Sequence, residues 1–130
     1  MMMRLAAACI ALAACTVRAQ DGFGTPDAIW QLTEIDGIPF DARATLTFPT
    51  PGRVSGAAPC NAYFGALTGT YPAFSAPVLA ASKRACSELQ AEAQFFAALR
   101  AVRSAKRMGD TLTLSDATGL RLVFTLTDRV

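Results

Sequence analysis

The chain contains no histidine. Histidine is the commonest metal ligand and the commonest general base at neutral pH, so its absence removes both roles together. None of the serines can be activated by an imidazole, and the thiols are too few for a zinc site without histidine. Charged residues make up only 17% of the chain, and the net charge of +2 is too small to indicate a nucleic-acid partner. The sequence therefore predicts no catalytic residue, no metal site and no cofactor, and it disfavours an enzyme.

Long apolar runs are also lacking, apart from a short one at the start of the chain. Arg4 precedes an apolar stretch over 5–14, whereas a helix needs about 20 such residues to span a bilayer. A positive start followed by a short apolar run is typical of a secretory signal peptide, which we place at residues 1–14. The alternative is a buried N-terminal helix, but a run without a polar face is difficult to place in so small a domain.

Two processing sites follow the apolar run. Leu12-Ala13-Ala14-Cys15 resembles a bacterial lipobox, in which the cysteine is lipidated and becomes the new N-terminus. The alternative is ordinary signal-peptidase cleavage after Ala19, which would release a soluble periplasmic protein. The lipobox is favoured because it lies directly at the end of the apolar run. Since Cys15 is not followed by aspartate, the resemblance implies an outer-membrane lipoprotein that faces the periplasm, with the membrane as its partner through the lipid.

Of the four cysteines, two are expected to remain in the folded, exported protein. Cys9 leaves with the leader and Cys15 is lipidated or removed, so Cys60 and Cys86 form an even pair in an oxidising compartment. A disulfide between them would close a loop of about 26 residues and stabilise the fold by about 3.5 kcal/mol. Two free buried thiols are the alternative. A redox couple is disfavoured because the two cysteines lack the CxxC spacing of exchange catalysts.

Residues 15–27 carry glycine, proline and aspartate without periodicity, which predicts a tether ahead of a domain over 28–130. Within the domain, alternation of apolar and polar residues is typical of half-buried strands. The predicted strands cover 29–35, 44–48, 53–56, 65–71, a short segment between 77 and 85, 111–115 and 120–126. In the first strand, Trp30, Leu32 and Ile35 are expected to face inward. The last two strands alternate most regularly and predict a closing hairpin.

One segment has a helical pattern, which we place at about 87–104. Ser87 and Gln90 fit a capping box at its start. The expected buried stripe consists of Leu89, Ala93, Phe96 and Leu99, widened by Phe95 and Val102. The cations expected to complement the helix dipole at its C-terminal end are Arg100, Arg103, Lys106 and Arg107. One apolar helix and about six to eight short strands predict a β-rich α+β fold, a strongly curved antiparallel sheet or pseudo-barrel packed around the helix.

Several short motifs follow one another along the domain. W-x-L at 30–32 precedes L-T-F at 46–48, V-S-G at 54–56 and C-N-x-Y-x-G at 60–65. The later motifs are A-C at 85–86, E-x-x-F-x-x-x-L at 92–99, G-D-x-L-x-L at 109–114 and D-x-x-G at 116–119. In order and spacing they resemble the META/HslJ-like domains, over roughly residues 28–127.

That resemblance implies a curved, β-rich sheet packed on one helix, in a protein that is exported or anchored at the bacterial outer membrane. It also implies a loose link to stress tolerance and envelope integrity, without an agreed reaction or ligand. The family motif supplies the candidate site residues, to which we assign a structural role: Gly56, Cys60, Asn61, Tyr63, Gly65 and Glu92. We interpret the stretch over 54–71 as a structural connection that joins a strand and turn to the start of the helix.

Other candidate sites are weaker than their structural alternatives. Tyr63, Phe64 and Tyr71 are expected in the core or at its rim rather than around a pocket. Glu88 and Glu92 lie one turn apart and are expected on a solvated helix face rather than as paired catalytic carboxylates. Basic residues from Lys83 to Arg107 are expected to serve solubility and the helix dipole rather than to bind lipid phosphate.

The sequence therefore predicts a non-enzymatic domain of the cell envelope that acts by binding or interaction, with an envelope protein or a small ligand as partner. Two alternatives stay open. One is a soluble periplasmic protein that holds a small ligand in the mouth of the curved sheet. The other is a protein-binding or inhibitor module that adds an edge strand to its partner.

Overall fold

The computed structural model describes residues 22–127, which form nine strands and one helix. The first six strands are β1 Ile29–Ile35, β2 Ile38–Pro39, β3 Thr45–Leu46, β4 Arg53–Ala57, β5 Ala62–Ala66 and β6 Leu79–Ala81. The later elements are α1 Leu89–Ala101, β7 Ser104–Met108, β8 Thr111–Ser115 and β9 Arg121–Thr127. The strand count exceeds the expected number because β2, which is only two residues long, and β7 were not predicted. The predicted signal peptide and Cys15 lie outside the described residues.

The strands form two antiparallel sheets. The larger has the order β2-β1-β9-β8-β7, with β3 also paired to β1, and the smaller has the order β4-β5-β6. Thr47 and Ser55 connect the two sheets, because each backbone N–H donates to the other residue's carbonyl, over 2.7 and 3.1 Å. The helix packs into one continuous apolar core with both sheets. The predicted fold class is therefore confirmed, as a curved wall around one helix that does not close into a barrel within the described residues.

Strand β1 faces the core with Trp30, Leu32 and Ile35, as predicted, although strict alternation would turn Ile35 outward. Ile35 faces inward because the pairing of β1 with β9 shifts by one residue between Leu32 and Glu34. Leu32 lies opposite Phe124 and Glu34 opposite Val123, so that Thr33 is an extra residue in β1. The Thr33 hydroxyl donates to the carbonyl of Val123 at 3.0 Å. This bulge reverses the inward and outward positions along the rest of the strand.

The helix is shorter than predicted and begins without the capping box. It runs over Leu89–Ala101, its N-cap is Glu88, and no side chain forms a cap hydrogen bond there. Leu89 is 45% exposed, so the first residue of the predicted buried stripe is wrong. Ala93 is exposed as well. The residues that α1 buries are Glu92, Phe95, Phe96, Ala98 and Leu99.

Beyond the helix, the chain turns at once into strand β7, which the sequence pattern missed. Val102 ends the helix in an extended conformation. The Arg103 guanidinium donates to the carbonyls of Arg100 and Val102, at 2.7 and 2.8 Å. Lys106 and Arg107 therefore lie on a strand and not at the helix terminus. Arg and Lys are good helix formers, which explains why the helix was predicted to continue beyond Ala101.

The strand predicted over 65–71 lies earlier, at Ala62–Ala66, and the following segment is a loop. That loop covers the outer edge of β7. Phe74 N–H donates to the carbonyl of Arg103 at 3.0 Å, and Ala105 N–H donates to that of Pro72 at 2.7 Å. The Tyr71 hydroxyl accepts a hydrogen bond from the Arg107 N–H at 2.8 Å. The loop thus satisfies backbone groups that a free edge strand would expose.

The packed structure includes Phe23, which lies within the predicted tether of residues 15–27. Phe23 is only 5% exposed, and its ring stacks on Phe48 at 4.4 Å between centroids. Its carbonyl accepts a hydrogen bond from Trp30 Nε1 at 2.9 Å. The domain boundary at residue 28 is therefore too late for the described chain. In addition, no helix within residues 22–127 has the length and apolar character that a membrane crossing requires.

Loss of a phenyl ring should lower the free energy of unfolding far more in the core than on the exposed face of the smaller sheet. Phe95→Ala removes a fully buried ring that lies 5.6 Å from Tyr63, and should lower the free energy of unfolding by about 3–5 kcal/mol. Phe64→Ala is the matched control, because Phe64 is 48% exposed and should cost about 1 kcal/mol or less. Urea unfolding, followed by fluorescence of the single tryptophan, measures both. Equal losses for the two variants would contradict this core.

Candidate functional site

The chemistry-bearing residues of the chain meet where helix α1 faces the turn between β4 and β5. At the centre is Glu92, which lies in the first turn of the helix and is only 6% exposed. Its Oε1 accepts hydrogen bonds from the backbone N–H groups of Cys60 and Asn61, at 2.8 and 2.9 Å. Its Oε2 accepts from Asn61 Nδ2 at 2.6 Å. The expectation that Glu92 lies on a solvated helix face is wrong, because these three donors replace water around the carboxylate.

Asn61 is the second member of the cluster and uses all of its side-chain hydrogen-bonding capacity. Besides Glu92, its Nδ2 donates to the carbonyl of Arg84 at 3.1 Å. Its Oδ1 accepts from the Ser82 hydroxyl at 3.0 Å and from the Arg84 N–H at 2.6 Å. The side chain therefore joins three segments, namely the β4–β5 turn, the loop between β6 and the helix, and the helix itself. Asn61 fixes backbone, as predicted, but over a longer range than a local turn.

The two cysteines close the cluster covalently. Cys60 and Cys86 form the predicted disulfide, with Cα atoms 5.7 Å apart and a sequence separation of 26. Cys86 Sγ also accepts a hydrogen bond from the Glu88 N–H at 3.3 Å, just ahead of the first helical residue. We refer to Cys60, Asn61, Cys86 and Glu92 as the clasp. Its covalent and hydrogen-bonded parts connect the same two segments of the chain.

The remaining motif residues support the clasp from the sheet side. The Tyr63 hydroxyl donates to the carbonyl of Thr45 at 2.6 Å, and burial raises the pKa of Tyr63 far above its usual value. A Cβ at Gly56 would collide with that same carbonyl and approach the Tyr63 hydroxyl to 2.9 Å. At Gly65, a Cβ would lie 2.5 Å from the carbonyl of Val78. Both glycines therefore allow close approach of neighbouring backbone, on either side of β5.

The polar side chains of the clasp already have hydrogen-bond partners within the protein, which leaves them little capacity for other ligands. Glu92 accepts from three N–H groups, and Asn61 donates two hydrogen bonds and accepts two. Glu88 is exposed whereas Glu92 is buried, so the two carboxylates have different environments. The helical spacing does indicate that Glu92 is buried. It lies three, four and seven residues before Phe95, Phe96 and Leu99, and therefore on the same face of the helix.

The three aromatic residues predicted in the core or at its rim, Tyr63, Phe64 and Tyr71, lie in different environments. Tyr63 belongs to the core, and Phe64 is exposed with the Arg53 guanidinium 4.7 Å above its ring. Tyr71 instead lines an apolar cavity of about 110 Å³. Phe23 and the turn at Pro51 also line it, and the sequence pattern pointed to neither. The full lining consists of Phe23, Gly24, Pro26, Phe48, Thr50, Pro51, Gly52, Leu67, Gly69, Thr70 and Tyr71.

Of the four cations predicted at the C-terminal end of the helix, only Arg100 and Arg103 lie there. Lys83 and Arg84 are exposed on the segment that leads to the helix, and Lys106 is exposed on β7. Arg100 lies 5.6 Å from the centroid of Phe96, and Arg107 lies 5.7 Å from that of Trp30. The cations are thus divided among a loop, a helix and a strand, where two of them cover aromatic rings.

Removing the charge of Glu92 should destabilise the clasp. In Glu92→Gln, the amide nitrogen faces either Asn61 Nδ2 or the backbone N–H groups of Cys60 and Asn61, so that at least one buried donor loses its acceptor. We expect a loss of about 1–3 kcal/mol in the free energy of unfolding. Glu88→Gln, one turn earlier and exposed, is the control and should change it by less than about 0.5 kcal/mol. Chemical denaturation compares the variants, and equal stability of Glu92→Gln and the wild type would refute the role of the carboxylate.

The disulfide should contribute separately, through the entropy of the unfolded chain. Reduction opens the loop between Cys60 and Cys86 and should cost about 3.5 kcal/mol, which lowers the Tm by roughly 10–20 °C. The measurement is a thermal melt with and without reductant. Cys60→Ser should melt at the lower temperature under both conditions and so serves as the control. A wild-type Tm that does not respond to full reduction would contradict this contribution.

Comparison with known proteins places this arrangement in a family. A family model described as the META domain matches residues 25–129. No curated protein matches the chain. An NMR structure of a protein from Burkholderia xenovorans is similar, with a TM-score of 0.66 and 22% identity, over 98% of this chain and 100% of that one. A second NMR structure has a TM-score of 0.63 and 20% identity, over 85% and 96% of the two chains. At these identities the two structures support the fold alone.

Proposed function

The chain belongs to the META domain family, and on that premise we propose that it is a non-enzymatic domain of the cell envelope that supports stress tolerance or envelope integrity by binding. One observation carries the non-enzymatic part of the proposal. The polar side chains that the sequence offers for chemistry, Asn61 and Glu92, are committed to hydrogen bonds within the clasp. A buried group held in this way contributes to stability, and a substrate would have to compete with its hydrogen bonds to the protein.

The envelope location is supported by the leader and by the cysteine pair. Residues 12–15 have the pattern of a lipobox, and a lipid on Cys15 would hold the domain at the outer membrane, facing the periplasm. The disulfide between Cys60 and Cys86 fits an oxidising compartment such as the periplasm. Cleavage after Ala19 is the competing route, and it would give a soluble periplasmic protein with the same domain.

A second candidate is a protein-binding module, which the edge of the smaller sheet favours. Within residues 22–127, β6 pairs only with β5, whereas the loop before it covers the edge of β7. Val78, directly before β6, is 76% exposed, and Phe64 on β5 is 48% exposed. An extended segment of another protein could add to such an edge. A photo-crosslinker at Val78 that captures a defined envelope protein, while one at the exposed Met108 does not, would favour this candidate.

The anchoring part of the proposal is tested with two cysteine variants. We expect the wild type and Cys9→Ala to fractionate with the outer membrane, because Cys9 is removed with the leader. Cys15→Ala cannot carry the lipid and should be found in the periplasm or remain unprocessed. Intact mass spectrometry should detect acyl groups on the N-terminal Cys15 of the membrane-bound forms. In a strain that lacks the protein, only the anchored forms should restore growth under detergent stress.

Two outcomes would count against this account. A wild-type protein that begins at Gln20 and is fully soluble would replace the lipoprotein with the secreted alternative. Full complementation by a chain without the folded domain would remove the proposed role in the envelope, whatever the processing site.

A further inference from the structure

We propose that the apolar cavity beside Phe23 binds a single aromatic ring that carries one neutral polar substituent. This inference rests on the proposed function, in that it gives a binding domain one specific ligand site. The cavity shares no residue with the clasp, since neither the cysteines nor Asn61 or Glu92 lines it. It therefore offers a place where the domain can recognise a ligand without opening its structural centre.

The walls of the cavity are largely aromatic and aliphatic. The rings of Phe23 and Phe48 stack at 4.4 Å, and the ring of Tyr71 meets Phe23 edge-on at 5.3 Å. Leu67, which is 8% exposed, contributes an aliphatic side. A ligand ring can meet these walls in offset-stacked or edge-to-face contacts, which aromatic pairs prefer.

Hydrogen bonds hold two of these walls in place. The Tyr71 hydroxyl accepts from the Arg107 N–H at 2.8 Å, and this bond fixes the ring by its far end against β7. The Phe23 carbonyl accepts from Trp30 Nε1 at 2.9 Å, which fixes the other side against β1. A site whose walls are held before binding loses less conformational entropy when the ligand enters.

The size of the cavity limits the ligand to one ring. Its volume is about 110 Å³, which is less than the roughly 150 Å³ of an apolar protein cavity that binds benzene, so one ring fills it and the substituent stays at its mouth. A fused two-ring system would therefore require the walls to move.

The rim determines the character of the substituent. Thr50 and Thr70 line the cavity and are exposed, so that their hydroxyls lie where a ring substituent would meet solvent. The lining residues include no charged side chain. A hydroxyl or amide on the ring can exchange hydrogen bonds at such a rim, whereas a charged group would find no counter-charge there.

Binding of benzyl alcohol to the full processed protein tests the site directly, with 1-pentanol as an aliphatic probe of similar polarity. In NMR titrations, benzyl alcohol should give saturable shifts of the Phe23, Gly52 and Gly69 amides with a millimolar Kd. The amides of Gly109 and Gly119, which lie in hairpin turns outside the cavity, should not shift. 1-Pentanol should bind more weakly.

Variants that fill the mouth of the cavity complete the test. At least one of Thr50→Trp and Thr70→Trp should raise the Kd for benzyl alcohol at least tenfold, since an indole can occupy the space of the ligand ring. Thr125→Trp is the matched control, because Thr125 is exposed on β9 away from the cavity, and its Kd should equal that of the wild type. All three exchanges replace an exposed threonine, so the fold should tolerate each of them.

Three results would overturn the proposal: no saturable shift with benzyl alcohol, unchanged affinity in both mouth variants, or equal or tighter binding of 1-pentanol. The last result would assign the cavity to an alkyl or acyl chain. Because the lining residues of the cavity lie between Phe23 and Tyr71 and do not include Cys15, failure of the cavity leaves the envelope assignment untouched. Conversely, a protein that is not anchored can still bind the probe.

Discussion

The Glu92 carboxylate is the constraint on which the architecture depends. It lies on the buried face of the helix, where a charged group is costly unless it has full hydrogen bonding. The compensation comes from N–H groups of Cys60 and Asn61, which only the turn between β4 and β5 can present. The helix can therefore pack in one position against that turn. The disulfide to Cys86 joins the same segments and reduces the freedom of the unfolded chain, so enthalpic and entropic contributions favour one geometry.

Elements with a simple period could be predicted from the sequence, and elements that depend on distant partners could not. The β8–β9 hairpin alternates regularly and lies where it was expected. In β1, a pairing shift at Thr33 decides which residues face inward, and it arises only with β9 as neighbour. Strand β7 follows the helix after two residues, and its cations conceal the boundary because they suit a helix terminus equally well.

The residues of the candidate site and its disulfide could be predicted, but the hydrogen bonds of Glu92 could not. The cysteine pair and Asn61 follow from the motif and the compartment, whereas Glu92 was assigned to solvent because charged residues are almost never buried without partners. Its partners are backbone amides more than thirty positions earlier, which no local pattern contains. Phe23 was missed for a related reason, since glycine, proline and aspartate around it are typical of a tether. Its burial depends on Phe48 and Trp30.

The clasp thus holds the fold through residues that do not line the proposed ligand cavity. The central claim is that Glu92 holds the β4–β5 turn, and native-state hydrogen exchange of the Cys60 and Asn61 amides tests it most directly. Both amides should exchange as slowly as those of β9, through global unfolding alone, in the wild type, and much faster than β9 in Glu92→Ala, which removes the oxygen that accepts from both of them. Rapid exchange of both amides in the wild type, while β9 remains protected, would contradict the account.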